Sequence, residues 1–364
     1  MRLFIFEVKK ILFSRRFLYT FAILLFVGVG LFFRNFAMQD LALEEEVKRV
    51  TAYTQEAQSL LRVLQKSPES GQTDEQIQHL AKALNLLYEW APLVKSTDWE
   101  KRLQIENDFL QTLTLYKEAG GDFSIQNSAI EPTILFNEQL LSQGIEPTFE
   151  NYSTNLPNYI KQVATLYINI GAIVLLLLVV GDLLTLEFEQ GSIRLLYTQP
   201  IRKTAILHAK WATTVVTYLL LTLGLFGITW GVGYLFGQVG SFAYPIFVEV
   251  DRIISFITIR DYIIWGLLST TIVILLAISI LFLLSLFIKN SIVTLLITIS
   301  ILLIGFFTMQ IGVVNWLNPF LYVFAGLSIQ QVGASWYQSI PITLLLAIII
   351  YILALLRIQR MREV

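Results

Sequence analysis

Few side chains in this chain could perform chemistry, and they are scattered. Cysteine is absent, which removes thiol nucleophiles, thiolate metal sites and disulfides together, and the only histidines are His79 and His208. The run Glu44-Glu45-Glu46-Val47-Lys48-Arg49 sets paired carboxylates near a guanidinium. Such a group could activate a metal-bound water, but only with histidines converging on it. A second acidic group, Asp182, Glu187 and Glu189, is followed by Arg194, Arg202, Lys203 and Lys210. Carboxylates this close to apolar runs need water or a cationic partner. No G-x-x-x-x-G-K-[S/T] loop occurs, and Arg202-Lys203-Thr204 lacks the preceding glycines. The chain is therefore not itself expected to hydrolyse ATP.

The elements that must position these residues follow from composition. Hydrophobic residues make up 55% and charged residues 15% of 364 residues, against about 45–50% and about 25% in soluble proteins. With a mean hydropathy of +0.65, much of the chain must face lipid. The pattern predicts an all-α membrane protein with six transmembrane helices, both termini cytoplasmic, and a helical extracytoplasmic domain between the first two spans.

In chain order, residues 1–16 read as an amphipathic interfacial helix, with Phe4, Ile5, Val8, Ile11 and Leu12 on one face and Glu7, Lys9 and Lys10 elsewhere. A cleaved signal peptide is the weaker reading, since no small-residue cleavage site follows Phe33. Span one is 17–33. Residues 34–161 are polar. Leu43, Val47, Val50, Thr54, Ala57, Leu61 and Leu64 form a helical seam there. Thr73 and Gln76 read as a capping box opening a second helix. A third helix carries Leu103 to Tyr116 and ends at Gly120-Gly121, and 122–160 look looser. The charge partition agrees: Asn35 to Ile160 holds 19 of the 27 acidic residues and 9 of the 26 basic ones.

Span two is 162–184, and a cytoplasmic loop covers 185–210. Span three is 211–236. An outer segment, 237–261, carries a stripe of Ile246, Val250, Ile253 and Ile257 that predicts a surface helix. Spans four and five are 262–288 and 292–314. A broken or re-entrant outer helix occupies 315–339, span six 340–356, and a cytoplasmic tail 357–364. Short basic segments set the sidedness. On this layout Glu44 to Arg49 lie on a solvated outer helix and the two histidines lie on opposite faces. That argues against the membrane-embedded proteases whose E-E-x-x-x-R motif the run resembles.

The stretch from Asp182 to Lys210 organises the rest. Gly191 breaks the preceding helix, and Ser192 caps a short one through Ile193, Arg194, Leu195, Leu196 and Tyr197 to Thr198. Pro200 stops it, and Arg202-Lys203 hold it at the inner face. Acid, Gly-Ser, short apolar helix, Pro and base in this order resemble the loop between spans two and three of ABC-2-type exporter permeases. The resemblance extends over the whole chain, although the large outer domain departs from the simplest members.

It implies that Glu187, Glu189, Gly191, Ser192, Ile193, Arg194, Leu195, Leu196, Tyr197, Pro200 and Arg202 form or flank a coupling helix docking on a separate ABC ATPase. ATP and Mg would sit on that partner, with no cofactor, metal or catalytic residue on this chain. Two ATPase copies and a second permease, identical or similar, are implied, in the cytoplasmic membrane of a bacterium; nothing points to nucleic acid. The carboxylates would pair with Arg194, Arg202 or the N-terminal helix. A membrane receptor for antimicrobial peptides, with the outer domain as ligand-binding module, is the alternative.

Overall fold

The computed structural model describes residues 2–66, 71–192, 202–250, 253–310 and 317–360. The chain divides into two units, one of residues 1–32, 159–238 and 248–364, the other of residues 33–158 and 239–247.

The second unit is built on the distal part of α2 (Arg15–Leu64), with α3 (Gly71–Leu93), α4 (Trp99–Glu118) and α5 (Asn127–Gln143). With no Gly or Pro after Gly30, α2 continues without interruption from apolar into polar sequence. The seam at Val50 and Ala57 closes on Leu80, Leu87, Trp90, Phe109 and Leu113. α4 ends as expected, with Gly120 at φ 83° just past the helix; at its start the Asp98 side chain accepts from Lys101 N.

Two expectations are corrected here. α3 begins at Gly71, so Thr73 lies inside the helix and does not open it, and the Gln76 amide donates to Ala119 O at 2.7 Å. Residues 122–160 are also more ordered than their prolines suggested. Pro132 lies inside α5, whose buried Asn137 bonds Asn107 at 2.9 Å.

The first unit contains α1 (Arg2–Leu12), the apolar start of α2, α6 (Leu156–Ile168), α7 (Gly171–Val180), α8 (Thr185–Glu189), α9 (Lys203–Phe236), α10 (Ile259–Ser285), α11 (Ser291–Gln310), α12 (Ala325–Val332) and α13 (Ile340–Arg360). Five segments among the described residues are long and apolar enough to cross a membrane: 15–64, 171–189, 203–236, 259–285 and 335–360. Residues 291–307 form a shorter apolar helix where span five was expected, and residues 311–316 lie outside the described residues.

Span two is not the single helix expected over 162–184. It breaks at Asn169-Ile170, where Ile170 takes φ 65°, and helical structure then reaches Glu189 through a turn at 181–184. The break is matched by a second one, the interrupted segment from Leu317 to Ser339. Ile170 N donates to Val323 O at 3.0 Å, and Asn169 Oδ1 accepts from Gly326 N at 2.9 Å and Leu327 N at 3.3 Å. Each interruption thus satisfies the other's backbone, as buried irregular chain requires. A Cβ at Gly326 would lie 2.4 Å from Tyr262 Oη, so only glycine permits this approach.

The all-α expectation is corrected by β1 (Pro245–Val250) and β2 (Ile253–Thr258), a two-stranded sheet in place of the surface helix. Ile246 and Val248 are buried while Phe247 and Glu249 are more exposed, which is period two. The β-branched run favours this pleat, and a stripe of four isoleucines and valines fits either period when the segment is short.

Candidate functional site

Of the acidic group at 182–189, Asp182 and Glu187 are largely enclosed, whereas Glu189 is exposed. α8 carries Glu187 inward, where its side chain is 9% exposed, and α9 brings Lys210 against it seven residues into the helix. Lys210 is fully buried, correcting its expected place in a polar loop at the membrane face. Its Nζ donates to Glu187 Oε1 at 2.6 Å and to Leu183 O at 3.0 Å, and stands 3.4 Å from Glu7 Oε1. Glu7 is buried too, correcting its assignment away from the packed side of α1. Phe4, Glu7 and Ile11 follow helical spacing onto one face, which packs on α9, whereas Ile5, Phe6 and Phe13 are exposed.

A rim of further pairs surrounds this centre. Lys10 Nζ lies 3.7 Å from Glu187, and Arg16 at the start of α2 pairs with Asp182. Glu189 Oε1 accepts from Ser291 N at 2.6 Å, at the N-terminus of α11, where free backbone donors and the helix dipole favour an anion. Thr185 Oγ1 and Ser291 Oγ are 2.8 Å apart. The expected partner from the N-terminal helix is therefore Lys10 for Glu187, and Lys210 is the partner that sequence reasoning missed. Its signal was available, since a lysine inside an apolar helix with two acids nearby requires a counter-ion.

The remaining expected residues divide. Gly191 takes φ 68° beyond the end of α8, and Ser192 Oγ lies 3.5 Å from Glu187 O. Arg202 is extended and immediately precedes α9. Ile193, Arg194, Leu195, Leu196, Tyr197 and Pro200 lie outside the described residues. His208 Nδ1 meets Tyr351 Oη at 2.5 Å, while His79 belongs to the other unit. In the Glu44-to-Arg49 run, Glu44 pairs with Lys48 at 3.9 Å and Arg49 stands 3.7 Å from both Glu46 and Glu106, so these groups are engaged in ion pairs.

Chemically, the cluster is a clamp. Two buried carboxylates on α1 and α8 converge on one ammonium of α9, and Glu189 fastens α8 to α11. Removing one member of such a group strands a buried charge, at about 3–5 kcal/mol. No curated protein and no solved structure matches this chain. A family described as ABC-2 family transporter protein matches residues 1–361. With nearly the entire length covered, the chain belongs to the ABC-2 transporter family.

Proposed function

We propose that this chain is the permease subunit of an ATP-binding cassette exporter in a bacterial cytoplasmic membrane. It would move an amphiphilic substrate, a peptide, drug or lipid-like molecule, with energy from a separate ATPase subunit. Two permease and two ATPase subunits would assemble, with the substrate route between the permeases. Residues 33–158 would stand on the outer face. Family membership carries the permease role. The observation that carries the coupling assignment is the Lys210 clamp, because it joins α1, α8 and α9, the last two of which flank residues 190–202. A push on that segment would reach all three helices together, and α11 through Glu189, as a rigid-body switch between two states requires.

On this reading Ile193, Leu195, Leu196 and Tyr197 present the surface that the ATPase grips, stopped by Pro200. Leu195→Asp/Leu196→Asp is the test. Wild-type protein pulled from native membranes should bring a soluble ATPase with it. The double variant should keep the wild-type melting midpoint in detergent while losing the ATPase and the transport it drives. Normal ATPase recovery and normal transport by the variant would overturn the docking assignment.

A further inference from the structure

The clamp uses only one face of α1. Glu7 and Ile11 are buried on it, with Glu7 3.4 Å from the Lys210 ammonium. Phe13 N still donates to Lys9 O at 3.1 Å, so the helical register persists through Phe13. Spacings of three and four then set Phe6, Lys9 and Phe13 along one stripe, on the far side from Glu7 and Ile11. Phe6 is 62% and Phe13 82% exposed, and Ile5 flanks them. Lys9 is exposed, as is Arg15 at the opening of α2. Among the described residues these two cations have no ion-pair partner, whereas their neighbours Lys10 and Arg16 are held by Glu187 and Asp182. The exposed apolar surface then continues into the first span at Leu18 and Tyr19.

We propose that this outer face of α1 binds anionic phospholipid of the inner leaflet. Phe6 and Phe13 enter the acyl boundary, while Lys9 and Arg15 extend their stems along it and place their charges on the headgroup phosphates. Charge complementarity selects this occupant. A zwitterionic headgroup brings no net charge to the two free cations. A second copy presenting the same face would set cation against cation. Because α1 also carries Glu7 into the clamp, headgroups that seat its outer face bear on α8 and α9 through Lys210. The proposal rests on the reading of a permease in a bacterial cytoplasmic membrane, but not on the ATPase or on the segment it grips.

The test uses the full chain in phosphatidylcholine nanodiscs without ATPase. Phe6→Trp adds a reporter on the stripe, read as the difference from wild type, and Phe13→Trp is a second, independent reporter. Acyl-brominated phosphatidylglycerol should quench the added fluorescence at a mole fraction about fivefold lower than acyl-brominated phosphatidylcholine, the gain expected from one basic residue at an anionic surface. Lys9→Gln/Arg15→Gln should bring the two lipids within about twofold of each other, and the charge-conserving Lys9→Arg/Arg15→Lys should keep the preference. Salt at about 1 M, where screening acts within about 3 Å, should weaken it. Equal quenching by both lipids, or a preference unchanged by Lys9→Gln/Arg15→Gln, would overturn the proposal. So would quenching by neither lipid, and shielding of the reporter only when a co-purified ATPase is added would then give this face to a protein partner. Recovery of an ATPase by wild-type protein tests the export reading separately, so either can fail while the other stands.

Discussion

Lys210 has no access to water, and its three oxygen neighbours come from α8, the turn before it, and α1. Lys210→Met should therefore cost about 3–5 kcal/mol, because Glu7 and Glu187 stay buried and unpaired. Adding Glu7→Gln and Glu187→Gln to that variant should restore most of the loss, read as the thermal midpoint of purified protein. Equal instability of the single and triple variants would show that packing, not charge, holds the site. Glu106 gives a pH-dependent counterpart. Its folded pKa lies above its ordinary value of 4.5, so its stabilising contribution is complete below that value and lost as pH rises through the folded one. Glu106→Gln should gain stability over wild type as pH rises toward neutrality, in denaturant melts run side by side. The sequence displayed the charges of the clamp but not their burial. Glu7 was legible only by noticing that it shares the spacing of Phe4 and Ile11.

At the scale of elements, the paired breaks at 169–170 and 317–339 are joined by the Asn169 side chain and by the bond from Ile170 N to Val323 O. Asn169→Ala would leave two backbone N–H groups of α12 without their acceptor, at about 1–3 kcal/mol each where they are buried. Asn169→Asp keeps the acceptor and should melt closer to wild type. A drop of equal size for both would show that the amide's own N–H, not its oxygen, matters. The second interruption was legible from Asn318-Pro319, Gly326 and Gly333. The first was not, since Asn169-Ile170 sits in an apolar run with no Pro and only Gly171 to mark it. Its cause lies in a partner distant along the chain, which no local pattern contains. The sheet at 245–258 was missed for the opposite reason: a local pattern existed and two periods fitted it.

For the whole molecule, two units with separate cores should not melt as one. Urea titration in detergent should show an early transition from the helical unit, reported by fluorescence of Trp90 beside Phe109, and a later one from the apolar bundle. Trp90→Phe should remove much of the early signal, and Leu113→Ala should shift only that transition, by about 2–5 kcal/mol. Coincident transitions by every probe would show a single cooperative body. The apolar bundle was legible because a span is a property of composition over about 20 residues. The helical unit beyond Gly121 was not, because its helices there depend on packing more than on their own propensity.

The bridge from Asn169 to Gly326 also sets a timetable for biogenesis. Its halves are 157 residues apart, and at about 5–20 residues per second the ribosome needs roughly 8–30 seconds to supply the second. Throughout that interval residues 169–170 are already synthesised while their hydrogen-bonding complement is not. The nascent helix must wait straightened, hydrated, or sheltered by the insertion machinery, until residues 323–327 emerge to receive it.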